Sequence, residues 1–338
     1  MFDEISLPIN LFRAWNEFKH GKIQKQDVAE FSVKIEERIF KLSRELRDGT
    51  YTHSSYEQFY VFDPKRRHIH KASVIDRLLH HAIFRVLAPM YDKKFIFDSY
   101  SSRLGKGTHK ACDRFQAFMW KLSRNNTRTV WVLKCDIRKF FDSVDHETLI
   151  RLLRKTIKDE KMIDLLKRVI FSFETQPGKG IPLGNLTSQL LSNIYLDQLD
   201  QFVKRILRIK YYVRYADDFV ILDTNKDNLS ELLIKLSEFL EKELSLSMHP
   251  DKVYIRKASQ GIDFLGYVIF PHFRVLRTKT KRRIFKKVRA LKAGLDRGVV
   301  SKGRFDQSMA SYYGILKHCR GKAVRRMIDR VSGGETSR

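Results

Sequence analysis

Tyr211-Tyr212-Val213-Arg214-Tyr215-Ala216-Asp217-Asp218-Phe219-Val220-Ile221-Leu222 is the stretch from which the rest of the chain is read. Two β-rich runs meet at a tight turn, Ala216-Asp217-Asp218, and so spell a hairpin. Neighbouring carboxylates at a turn repel, and ionising both is costly unless something answers the charge. Water does so at a solvent-exposed turn. A divalent cation does so more strongly, and hard Mg²⁺ takes carboxylate oxygens together with phosphates.

A second acidic site lies upstream. Val130 to Cys135 reads as a strand with Asp136 at its end, inside Lys134-Cys135-Asp136-Ile137-Arg138-Lys139-Phe140-Phe141-Asp142. Two such sites suit a pair of Mg²⁺ ions, with Mn²⁺ as the substitute. In nucleotidyl transfer one ion activates a hydroxyl nucleophile, and the other holds the triphosphate and the leaving pyrophosphate. Asp136 and Asp217 are expected to bridge both ions and Asp218 to support them. The Ile137 main-chain carbonyl is expected to complete one shell.

Composition narrows the partners. The 338 residues carry 66 Lys and Arg against 39 Asp and Glu, a formal charge of +27. That excess concentrates a polyanion: nucleic acid first, an anionic membrane surface second. No apolar run approaches the ~20 residues that span a bilayer. The opening Met1-Phe2-Asp3-Glu4 lacks the basic region of a signal peptide. Three scattered cysteines, Cys112, Cys135 and Cys319, argue against disulfides and structural zinc. A cytoplasmic protein is expected.

Outside the two acidic sites the patterning is largely helical. Val28, Phe31, Ile35, Ile39, Leu42 and Leu46 form one stripe from Asp27 to Asp48. Tyr56 to Phe62 is extended, Asp63-Pro64 turns, and a basic cluster follows from Lys65 to Lys71. A helix is expected from about Val74 to Met90. Another runs from Lys279 to Arg297, with Ile284, Val288, Leu291 and Leu295 on one face and cations on the others. The basic faces suit either a solvated surface or a cradle for a duplex backbone.

Tyr215-Ala216-Asp217-Asp218, flanked by apolar residues, resembles the YxDD box of reverse transcriptases, and Asp136 with Phe141 five residues later resembles their preceding acidic motif. The resemblance implies an α+β right-hand polymerase with fingers, a palm built on an antiparallel sheet, and a helical thumb. The implied boundaries are residues 1–125 for N-terminal helices and fingers, 126–270 for the palm and 271–338 for the thumb, with part of the fingers inserted around 145–180. It makes Phe141 the steric gate that excludes a 2′-hydroxyl, where a core aromatic beside Phe140 is the plainer reading. Gly180-Ile181-Pro182-Leu183-Gly184-Asn185-Leu186-Thr187-Ser188-Gln189 resembles the loop and helix start that position the templating base and incoming nucleotide, with Ile181, Gly184 and Gln189 as contacts. Lys65, Arg67 and Arg77 fall where the family places cations for the triphosphate, and the sequence does not choose among them. Lys252, in Leu246 to Lys252, matches the lysine near the triphosphate; it is the implied general acid toward pyrophosphate or else a surface lysine. Phe264-Leu265-Gly266-Tyr267 resembles the primer grip.

Leu183-Gly184-Asn185-Leu186-Thr187-Ser188-Gln189 resembles the enzymes of diversity-generating retroelements, where group II intron proteins usually have Ser-Pro. Phe97 to Arg103, Gly105-Lys106-Gly107 and Tyr312-Tyr313-Gly314 agree. Ala216 departs from the methionine of many members. The subgroup implies that a template-repeat RNA is copied into adenine-mutagenised cDNA, with Ile181 and Arg67 as residues that influence the errors. Its implied partners are template RNA, cDNA, the RNA–DNA hybrid, dNTPs and a small basic oligomeric accessory protein, with no membrane. A chain ending at Arg338 is expected to lack HNH endonuclease and RNase H domains. A host-defence reverse transcriptase of the abortive-infection type and a group II intron maturase are the alternatives.

Overall fold

Ser73 begins the longest helix of the N-terminal half, and its hydroxyl accepts a hydrogen bond from the Asp76 amide. In this computed structural model, which describes residues 1–63 and 66–333, that helix runs Val74–Asp92. Asp76 is completely buried, so its carboxylate must find partners within the protein. The Tyr51 hydroxyl donates at 2.7 Å, the Ser73 hydroxyl at 2.6 Å and the Ser54 amide at 3.2 Å. Burial and the Asp76 charge hold the Tyr51 phenol far above its usual pKa. Tyr51→Phe is expected to lower stability by about 1–3 kcal/mol, because it strips a donor from a buried charge. Urea unfolding at an unchanged midpoint would contradict this.

The chain divides into two compact units, each built from three segments. The first comprises Met1–Gly105, Asp136–Lys210 and Ile234–Lys252 and is mainly helical. Leu186–Gln201, buried on nearly every side, packs against Val74–Asp92 and His146–Thr156, and Pro8–Lys19 packs on Val74–Asp92. The expected stripe from Asp27 to Asp48 proves to be two helices, Gln26–Ser32 and Ile35–Arg47. The helix breaks at exposed Val33 and at Lys34 (φ −117°, ψ 39°). The break lets Phe31 turn onto Trp15, with ring centroids 5.3 Å apart, while Ile39, Leu42 and Leu46 stay on a separate buried face. The extended run becomes strand β1 (Glu57–Val61), antiparallel to β2 (Arg67–Lys71), so part of the basic cluster is itself a strand.

The second unit comprises Lys106–Cys135, Tyr211–Leu233 and Val253–Arg338. Strands β3 (Trp131–Asp136), β4 (Tyr212–Tyr215), β5 (Asp218–Asp223) and β6 (Tyr254–Lys257) form a sheet in the order β4-β5-β3-β6. The last residue of β3, Asp136, opens the next segment of the first unit. Helix Thr108–Leu122 repeats Ala111, Cys112, Phe115, Phe118, Met119 and Leu122 at helical spacing and lays that face on β4 and β5. A second sheet, β7 (Ile262–Phe264), β8 (Tyr267–Ile269) and β9 (Arg274–Leu276), precedes three helices, Thr278–Asp296, Lys302–Leu316 and Lys322–Ser332, that pack on one another. Ile284 and Val288 are buried as the periodicity requires, and Arg282, Lys286 and Arg289 are exposed.

Candidate functional site

The hairpin turn lies where the sequence puts it: Tyr215 pairs with Asp218, leaving Ala216 and Asp217 as the two central residues. Ala216 takes φ 53°, a left-handed value that an L side chain adopts at a cost of about 1–3 kcal/mol. Fully buried Arg214 donates to the Ala216 carbonyl at 3.2 Å and pins the strained residue. Asp218 opens β5, and its Oδ1 lies 2.5 Å from Lys134 Nζ on the neighbouring strand β3. Lys134 is itself buried and also donates to the Cys135 carbonyl at 3.2 Å. Nothing local in the sequence marks a strand lysine for a partner more than eighty residues away.

In the first unit, Asp136 is fixed from two directions. Its Oδ1 accepts from Lys252 Nζ at 2.7 Å, and its carbonyl accepts from the His249 amide at 2.8 Å. Ile137 bridges Met248, and Arg138 N donates to the Ser247 carbonyl, so residues 247–252 run beside the acid and deliver the lysine. Among the described residues no three His, Cys, Asp or Glu side chains gather as a ligand cluster. A lysine meets each acid, Lys252 at Asp136 and Lys134 at Asp218. Both carboxylates therefore already act as cation ligands, and their hard oxygen donors fit Mg²⁺.

Downstream of Asp136, Lys139 turns left-handed (φ 44°) and starts the short helix Phe140–Ser143. Phe140 is buried, and Phe141 is half-buried with its ring edge-to-face on Phe140 at 5.4 Å. The Phe141 carbonyl accepts from the Ile181 amide at 2.8 Å, joining the expected steric gate to the loop expected to position the templating base. Gly180 is required where it stands: at φ 111° a Cβ would lie 2.7 Å from Thr175 Oγ1 and 3.0 Å from Thr175 N. The loop continues against β2, the His70 amide donating to Leu183 and the Asn185 side chain to the His70 carbonyl.

These segments enclose a cleft of about 910 Å³ within the first unit, lined among others by Arg66, Arg67, Lys139, Lys179, Ile181 and Leu183. Of the proposed triphosphate cations, Arg67 faces this cleft and Lys65 lies outside the described residues. Arg77 is engaged elsewhere: its guanidinium bonds Asp27 at 2.6 Å and covers the Phe18 ring at 5.1 Å. Burial opposes the charged form of Asp27, but the hydrogen bonds of Lys71 and Arg77 outweigh it and hold the carboxyl below its usual range. Gly184 and Gln189 are exposed, at the end of the loop and on the first turn of Leu186–Gln201.

Phe264-Leu265-Gly266-Tyr267 forms the β7–β8 turn. Leu265 and Gly266 both take positive φ, 51° and 89°, and stand half-exposed at the tip, while Phe264 and Tyr267 point into the second unit. The Tyr267 hydroxyl meets His109 Nε2 at 3.1 Å and the Ile315 carbonyl at 3.4 Å, and burial pushes its phenol up to about 12.

Residues 63–269 match the family described as reverse transcriptase (RNA-dependent DNA polymerase). The chain belongs to that family. This reverse transcriptase is 26% identical to the group II intron-encoded protein LtrA of Lactococcus lactis subsp. cremoris, over 73% of this chain and 51% of that protein. It is 27% identical to protein YkfC of Escherichia coli (strain K12), over 67% of this chain and 69% of YkfC. The chain thus spans about half the length of LtrA. Among solved structures it shares its fold with apo telomerase from Candida tropicalis: TM-score 0.52 at 13% identity, covering 82% of this chain and 59% of that one. The α+β right-hand polymerase fold expected from the motifs is the fold of this chain. No helix among its described residues is long and apolar enough to cross a membrane.

Proposed function

We propose that this reverse transcriptase is an RNA-directed DNA polymerase that copies template RNA into cDNA from dNTPs. The observation that carries the reading is the sheet order: β5, which follows the Ala216-Asp217 turn, is the sheet neighbour of β3, which ends in Asp136. Asp136, Asp217 and Asp218, with the Ile137 carbonyl, would hold two Mg²⁺ ions, for which Mn²⁺ substitutes. The ions would supply charge stabilisation for the hydroxyl nucleophile and the leaving pyrophosphate. The chain's own contributions are distinct. Lys252 brings an ammonium group to Asp136, Phe141 bounds the sugar, Ile181 and Gly184 flank the base pair, and Arg67 meets the triphosphate. Gln189 and the Phe264–Tyr267 turn align template and primer. Residues 1–125 would serve as N-terminal helices and fingers, 126–270 as the palm with part of the fingers inserted around 145–180, and 271–338 as the thumb.

With a formal charge of +27 the protein should hold its RNA–DNA hybrid chiefly by the backbone. Affinity for RNA is therefore expected to fall steeply, as a straight line in log K against log salt. Binding that stays flat between low and high salt would contradict this electrostatic account.

The finer role we propose is that of a diversity-generating retroelement enzyme, which makes adenine-mutagenised cDNA from a template-repeat RNA with a small basic oligomeric accessory protein in the bacterial cytoplasm. Leu183 to Gln189 supports it. The likeness to LtrA favours a second reading, an intron-type reverse transcriptase or maturase. A host-defence enzyme uses the same chemistry. Sequencing the cDNA made on a defined RNA separates the readings. Errors concentrated opposite template adenines support diversification, and accurate cDNA removes it.

A further inference from the structure

Lys134 has no task in the proposed polymerase chemistry. Lys134 is 6% exposed in the interior strand of the four-stranded sheet, where an ammonium group is costly unless paired. Side chains alternate along a strand, so Val132, Lys134 and Asp136 share one face of β3 while Leu133 and Cys135 take the other. The lysine thus stands one pleat before the first acidic residue, and its Nζ reaches Asp218 Oδ1 at 2.5 Å. On the other side Lys134 pairs with Tyr254 of β6, whose hydroxyl accepts from the Asp263 amide and is thereby oriented. The sheet has therefore placed a fixed positive charge against the second aspartate of the turn.

We infer that Lys134 is a positioning residue, a resident counter-ion that holds the Asp218 carboxylate and restrains the affinity of the acidic site for divalent cations. The inference rests on the polymerase reading only for the second of these roles. Two aspartates in succession after strained Ala216 would repel one another and splay the turn in the metal-free protein. The ammonium group removes that repulsion and keeps β5 paired from its first residue. It also competes with a metal ion for the same oxygen. Removing it should loosen the metal-free turn and tighten metal binding, opposite effects that simple loss of packing does not produce.

The test uses the full chain. Thermal unfolding in EDTA is compared for the wild type, Lys134→Met, Asp218→Asn and the double variant. Each single change is expected to lower Tm, and the double variant is expected to recover part of the loss, because it removes both members of the pair. If Lys134→Met alone does not fold, recovery of folding in the double variant is the same result. Strictly additive losses would overturn the pairing. Mn²⁺ binding, followed by the loss of the free-ion EPR signal, supplies the second readout. Lys134→Met is expected to bind Mn²⁺ on the order of tenfold more tightly, as loss of a nearby like charge requires, and Lys134→Arg to restore the wild-type value. Equal or weaker Mn²⁺ binding by Lys134→Met would overturn the restraint. A wild type that binds no Mn²⁺ would overturn it too, together with the metal-ion reading, while the EDTA comparison still decides the pairing.

Discussion

Replacing Asp217 with alanine is expected to abolish DNA synthesis and leave RNA binding nearly unchanged. Asp217 is a central residue of the β4–β5 turn, and Asp218 beside it is already matched to Lys134. On the proposed mechanism Asp217 is thus the turn's main ligand for the catalytic ions. Losing one such ligand removes several kcal/mol of charge stabilisation, a fall in rate of roughly a thousandfold or more. RNA is held through the wider basic surface, so one turn carboxylate contributes nothing to it. Primer extension and RNA binding measured on the same preparation check the split. Residual synthesis within tenfold of wild type would show that the acid is not a ligand. A parallel loss of RNA binding would mean that the variant had misfolded.

Phe141→Ala is expected to admit ribonucleotides. The Phe141 ring is braced edge-to-face by buried Phe140, and its main chain is tied to Ile181. It therefore has little freedom to swing aside from an extra hydroxyl. Discrimination in this design comes from a clash against the wrong substrate rather than from better contacts with the right one. Truncating the ring should lower the preference for dNTP over NTP on the order of a hundredfold while DNA synthesis continues. The ratio of kcat/KM for the two nucleotides is the measurement. An unchanged ratio would move the gate to another side chain.

What could be read in advance were the features with a local signature. The β4–β5 hairpin, the strand ending at Asp136, the helix after Ser73 and the basic helix at Thr278–Asp296 all follow from periodicity, caps or turn chemistry over a few residues. The break at Val33–Lys34 did not, because Val28, Phe31 and Ile35 continue one apolar stripe. The packing of Phe31 on Trp15, which accompanies the bend, is a tertiary contact that the local pattern does not carry. The strand character of Arg67–Lys71 was masked by its charge, which tertiary pairing with β1 overrides. The ion pairs were hidden for a different reason. Lys134–Asp218, Lys252–Asp136 and Arg77–Asp27 join residues 84, 116 and 50 positions apart. No pattern along the chain distinguishes a cation destined for a carboxylate from one destined for a phosphate. Arg77 shows the consequence: its position suits a triphosphate ligand, while its guanidinium closes on Asp27.

The most direct test of the central claim is single-nucleotide extension of a DNA primer on an RNA template by the full chain. It would be run in EDTA and then with Mg²⁺ restored. The account predicts no extension without the metal and, on its return, addition of only the deoxynucleotide complementary to the template. Folded, RNA-bound protein that adds nothing with Mg²⁺ or Mn²⁺, or that extends equally well in EDTA, would contradict it.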